Sequence, residues 1–191
     1  MPGNLFYALD ASTGQVAWKY PTGITGGNSS RYGTAVIAND MVYFGASQLG
    51  APTSQAGGYF ALHISTHQLA WKQQLDVDPA LPIMLVGNTL YLDTSSNLGA
   101  YDAQTGKQQW AMNTSFSPVT LANNLIYGID YSQHLFAVSL DGKPQWQIDP
   151  MFGTSMISSL SAQMLYAQGV IYLARYDSTS KHWQIYAISV S

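Results

Sequence analysis

His63 and His67 are the first residues in this 191-residue chain whose type and spacing could do chemistry, since an i,i+4 pair on a helix presents two imidazoles to one metal ion. The surrounding segment, YFALHISTHQLAWK, instead reads as two strand-like stretches joined by a turn. Both histidines then fall at turn positions, where equivalent segments carry Asp and Gly. His134 and His182 each stand just before a strand-like stretch and read as surface residues. Serine and aspartate are plentiful, but no G-x-S-x-G elbow occurs to activate a serine, and the serines read as uncharged surface. Cysteine is absent, which removes disulfides, thiolate zinc sites and thiol nucleophiles. Glutamate is absent too, so every acidic residue is an aspartate: 10, 40, 76, 78, 93, 102, 130, 141, 149 and 177. On this reading no residue is assigned as catalytic, as a cofactor ligand or as a metal ligand, and the chain is not expected to be an enzyme.

Binding is carried more easily by loops on a rigid scaffold. Three polar segments are long enough to serve: Tyr20–Gly33, Gly45–Gly58 and Asp149–Ser161. The first holds Asn28, Arg31 and Tyr32, a polar and aromatic set suited to contacting a ligand. Trp183 joins them as a candidate, because it falls out of register with the other tryptophans.

Composition narrows the partners. Hydrophobic residues make up 47% and charged residues only 9%, so the chain can build a core while its surface is filled by neutral polar side chains. The net charge is -3, and the seven basic residues are scattered, whereas a nucleic-acid groove needs them concentrated. Nucleic acid is therefore not an expected partner. No apolar run approaches the roughly 18 residues of a membrane span. The opening Met1-Pro2-Gly3-Asn4 carries no basic or apolar leader pattern, so no export signal is read there.

The elements that must position any site come from an internal repeat. Leu5–Lys19 (LFYALDASTGQVAWK) recurs at Tyr59–Lys72, at Leu98–Trp110 (LGAYDAQTGKQQW), at Leu135–Trp146 (LFAVSLDGKPQW) and, cut short, at Gln184–Ser191. The closing tryptophans, Trp18, Trp71, Trp110 and Trp146, are spaced by 53, 39 and 36 residues, and the insertion Gly45–Gly58 accounts for the longest interval. In the first copy Asp10 is expected to accept N–H bonds across the turn while Gly14 supplies positive φ; Asp102 and Gly106 repeat this, His63 and His67 stand at those two places in the second copy, and the fourth turn is one residue shorter with Asp141-Gly142. Between copies lies a second hairpin, turning at Asn39-Asp40, Gly87-Asn88, Asn123-Asn124 and Gln168-Gly169. One unit is thus four antiparallel strands, here called A, B, C and D. That is one propeller blade, and the fold class is all-β.

The strings YALDASTGQVAWK and AYDAQTGKQQW resemble the repeat of the PQQ-like (pyrroloquinoline quinone repeat, BamB-like) β-propellers, and the likeness covers nearly the whole chain. In such propellers the resemblance implies that the tryptophan wedges between blades. It also implies, for the dehydrogenases of the group, a quinone in the funnel with calcium, acidic ligands and a vicinal cysteine pair. This chain lacks both Cys and Glu, so no cofactor is expected.

One propeller domain over 1–191 follows, with a partial blade at 1–20, blades at about 33–74, 82–113 and 117–149, and a partial blade at about 158–191. Counting strands gives 2 + 12 + 3 = 17, which suits an arc of about four blades from a seven- or eight-bladed propeller. The expected function is a noncatalytic module that binds or scaffolds a protein, peptide or glycan. The alternative is a fragment of a PQQ-dependent dehydrogenase-like enzyme whose active-site residues lie outside this chain. Open sheet edges near Gln184–Val190 lead to an expected homo-oligomer. The resemblance points to a bacterial protein of the cell envelope or one that is secreted.

Overall fold

The computed structural model describes residues 5–24, 29–49, 57–75, 83–93, 97–114, 119–130, 134–148, 163–177 and 181–190. Among them every regular element is a strand, and the strands form successive antiparallel sheets. The first sheet pairs β1 (Leu5–Leu9) with β2 (Val16–Pro21). The second comprises β3 (Ser29–Tyr32), β4 (Val36–Ala38), β5 (Met41–Leu49), β6 (Gly57–His63) and β7 (Leu69–Leu75). The third runs β8 (Ile83–Val86), β9 (Thr89–Asp93), β10 (Leu98–Asp102) and β11 (Gln108–Met112), and the fourth β12 (Val119–Ala122), β13 (Leu125–Ile129), β14 (Leu135–Ser139) and β15 (Pro144–Ile148). The last holds β16 (Gln163–Ala167), β17 (Val170–Asp177) and β18 (His182–Ser189). Each full sheet is a meander in chain order, the A-B-C-D blade read from the repeat.

Among the described residues there are 18 strands where the repeat count gave 17. The extra one arises because the A strand of the second blade is broken by Gly33-Thr34-Ala35 into β3 and β4, both paired with the nine-residue β5. This also revises two loops. Tyr32 pairs with Ala46 and Ser29 with Leu49, while Gly45, Ala46 and Ser47 continue the β5–β6 ladder opposite Tyr59, Gly58 and Gly57. Small side chains at 45–47 let the hairpin continue where composition alone suggested a loop.

In the second, third and fourth sheets the B and C strands are largely buried, and the D strands are mostly exposed, as in β11, where Trp110 and Met112 are half-buried and the other three residues face solvent. Sheets packed on both sides need apolar residues on both faces, which is why strict alternation is missing in segments such as Val42-Tyr43-Phe44. The core is divided accordingly into clusters, each built from neighbouring blades. Phe6 and Trp18 meet Val42, Phe44, Phe60 and Leu62; Tyr43, Tyr59 and Trp71 meet Leu90, Leu92 and Tyr101; Tyr127, Leu135 and Trp146 meet Met164, Ile171, Leu173 and Ile188. The chain divides into two compact units, 1–95 with 101–109, and 96–100 with 110–191.

Candidate functional site

The turns carry the residues that sequence reading singled out, and the geometry shows what those residues do. Asp10 Oδ1 accepts the N–H groups of Ser12 (3.0 Å) and Thr13 (2.8 Å) and the hydroxyls of both. With the Ser12 hydroxyl contributing most, then the Thr13 N–H, these bonds hold the carboxyl down at about 2. Asp102 repeats the turn on Gln104 and Thr105, and its pKa is lowered chiefly by the Thr105 hydroxyl and N–H. A carboxylate stabilised as the anion in this way is a weak base at neutral pH. Gly14 and Gly106 both have φ of 69° and close the turn on the carbonyls of Asp10 and Asp102 at 2.8 Å.

His63 and His67 occupy the same turn, at the places of its Asp and Gly. His67 adopts φ of 59° and donates its N–H to the His63 carbonyl at 2.8 Å, just as Gly106 does to Asp102. Among the described residues no three His or Asp side chains gather closely enough to hold a metal. The missing carboxylate is supplied from the blade's other turn. Asp40 Oδ1 accepts the Ser65 N–H at 2.9 Å and Oδ2 accepts the Ser65 hydroxyl at 2.6 Å, with His63 Nδ1 3.9 Å from the same oxygen. In the third blade the roles are exchanged: Asn88, in the A–B turn, donates to Asp102 Oδ2 at 2.9 Å.

The tryptophans act as wedges. Trp71 donates its indole N–H to the Ala103 carbonyl (2.9 Å) and Trp110 to that of Leu140 (3.0 Å), each in the following blade. The indole faces lie against Gly106 and Gly142, where an added Cβ would come within 2.7 Å of the ring. Trp18 meets His67 instead, and the two rings stack at 4.8 Å and 21°.

Between the second and third blades the paired turns enclose a cleft of about 380 Å³ lined by Asn39, Asp40, Met41, Tyr43, His63, Asn88 and Gln104. Its floor is apolar, Met41 and Tyr43 being buried, and burial together with the negative Asp102 pushes the Tyr43 hydroxyl up. Its rim offers side-chain amides, one carboxylate and one imidazole. Such a rim can hydrogen-bond a neutral polar ligand or a peptide backbone. Of the four binding candidates, Asn28 lies outside the described residues, and Arg31 and Tyr32 lie on β3 opposite Ser47 and Ala46. Trp183 is 59% exposed and sits within β18, opposite Tyr176, rather than ahead of the strand. Of the cleft residues, Asn39, Asp40, His63 and Asn88 were placed in turns by the sequence, and none was read as part of a binding site. The available signal was compensation, since the blade without Asp at the C–D turn is the one with Asp in its A–B turn. His134 has a separate role: Asp130 takes its N–H at 2.8 Å and faces its ring Nδ1 at 2.9 Å, closing the β13–β14 connection.

The family model described as outer membrane protein assembly factor BamB matches residues 2–148 and 61–179. The chain belongs to the BamB family. BamB from Moraxella catarrhalis is similar in structure at a TM-score of 0.63 and 10% identity, over 90% of this chain and 48% of that one. The quinohemoprotein alcohol dehydrogenase from Comamonas testosteroni gives a TM-score of 0.66 at 16% identity, over 90% and 41%, and Saccharomyces cerevisiae Sqt1 gives 0.67 at 9%, over 98% and 53%. This BamB-family chain therefore spans about half the length of these solved relatives, and at such identities they show the propeller fold alone. No curated protein sequence matches it. The turn aspartates do not fit the role of calcium ligands for a quinone, because Asp10 and Asp102 are engaged by N–H groups and hydroxyls of their own turns and Asp40 by those of Ser65.

Proposed function

We propose that this BamB-family chain is a noncatalytic propeller module whose blade turns bind a protein or peptide partner in the cell envelope. The observation that carries the reading is the cleft between the second and third blades, where amide, carboxylate and imidazole groups ring an apolar floor and the carboxylate is already held by Ser65. The family's description as an assembly factor for outer membrane proteins favours extended protein segments over glycans as the occupant. Such segments present unpaired N–H and C=O groups, which amides recognise in both directions.

Binding of the full chain to an array of extended peptides and to a glycan array, read by surface plasmon resonance, tests this. Peptide binding that falls on the order of tenfold in Asn88→Ala and His63→Ala supports it. Glycan binding with the same dependence would replace the peptide by a sugar. Oxidation of alcohols or sugars by the purified chain with added quinone and calcium would overturn the noncatalytic reading.

A further inference from the structure

Aligned blade by blade, the last sheet exposes positions that the second, third and fourth blades bury. Tyr172 occupies the place of Tyr43, Tyr91 and Tyr127, which are 3%, 3% and 1% exposed, yet it is 42% exposed. Ile185 occupies the place of Tyr59, Leu98 and Leu135, exposed 1% or less, and is 76% exposed. The registers Leu165↔Tyr172, Ala174↔Ile185 and Tyr176↔Trp183 put Leu165, Tyr172, Ile185 and Trp183 on one face of this sheet. The opposite face, with Ile171, Leu173 and Ile188, is the one buried against the fourth blade.

The first sheet shows the converse. Phe6 and Trp18 are packed on the second blade, while Tyr7, Leu9 and Val16 on the other face are 51%, 59% and 53% exposed. Leu9 stands where Leu62, Tyr101, Val138 and Ile188 are 0% to 8% exposed against a preceding blade. Gly14 has no atom within 4 Å of a Cβ position, whereas Gly106 and Gly142 carry a preceding tryptophan. Both halves of the contact that joins successive blades are thus present and solvent-exposed, the donating half on the last sheet and the receiving half on the first.

We propose that the exposed face of the last sheet docks onto the exposed face of the first sheet of a second copy of this chain, head to tail. The contact is heterologous: a face of one kind meets a face of the other, so assembly can continue beyond a dimer. It uses sheet faces, not the hydrogen-bonding edge of β18. It is independent of the cleft, so peptide binding at the cleft can fail without affecting it.

Sedimentation and light scattering of the full chain over a concentration series, with the fluorescence of Trp183 followed in parallel, test the proposal. The expected result is reversible self-association with a blue shift of the Trp183 emission. Tyr172→Asp with Ile185→Asp, at positions exposed in the single chain, should raise the dissociation constant on the order of tenfold or more, because carboxylates would be buried in the contact. Leu9→Lys should do the same. Mixing the two variants should restore association, since the mixture re-creates one intact pair of faces. A monomer at all concentrations overturns the proposal, and so does association that neither variant weakens or that mixing fails to restore.

Discussion

A single turn position shows how tightly residue type is constrained. Gly106 is held to φ of 69° and also lies under the Trp71 ring, while Gly14 has the same φ and open space around it. Gly14→Ala should therefore cost roughly 1 kcal/mol, the left-handed penalty alone. Gly106→Ala adds the displacement of the indole and should cost roughly 2–4 kcal/mol, measured by denaturant titration. Equal losses at the two sites would contradict the wedge. His67 survives at this position because its ring stacks on Trp18, which offsets the left-handed backbone by about 1 kcal/mol. Asp10 gives a second prediction at this scale. Its folded pKa, about 2, lies below the ordinary 3.8, so its contribution to stability is present above the ordinary value and is lost as pH falls through the folded one. Carboxyl chemical shifts should titrate at about 2 in the folded chain, and Ser12→Ala should move that value upward; a shift curve centred near 3.8 would remove the turn's role.

At the scale of the element, the A–B turn of the second, third and last sheets is tied at one rim to the chain that follows the C strand. Ile64 donates to the Asp40 carbonyl at 2.8 Å, Ala103 to Asn88 at 2.9 Å and Val190 to Gly169 at 2.9 Å. Because the turns touch, a carboxylate on either can serve the pair. Asp40→Asn should cost about 1 kcal/mol, as an amide offers one acceptor where Ser65 uses two carboxylate oxygens. His63→Asp alone sets two carboxylates side by side and should also destabilise. The double variant copies the Asn88–Asp102 arrangement of the third blade and should recover most of the loss, giving a favourable coupling in a double-mutant cycle. Simple additivity would show that the turns do not share the charge.

Within each compact unit successive sheets pack face to face, and much of this was legible in the sequence. The LDASTG and YDAQTG turns, the Asn39-Asp40 and Asn123-Asn124 hairpins with φ of 48–61°, and the wedge tryptophans all follow from local chemistry that repeats in register. The β3–β5 pairing and the cleft were not legible in that way, because they depend on residues from separated segments meeting, such as Asp40 with Ser65 and Asn88 with Asp102. Nearest-neighbour stacking has a further consequence for how stability is distributed. In a stack of this kind the loss of one wedge weakens the blades that share it before it weakens distant ones. Trp110 joins the third blade to the Leu140 turn of the fourth, so Trp110→Ala should cost about 3 kcal/mol. Hydrogen exchange should quicken most in β10–β11 and β14–β15, while the ladders of β1–β2 and β5–β6 stay near their original rates. Trp183→Ala, on an exposed position, should leave exchange in both regions almost unchanged. A uniform acceleration along the chain after Trp110→Ala would mean that the sheets unfold as one unit.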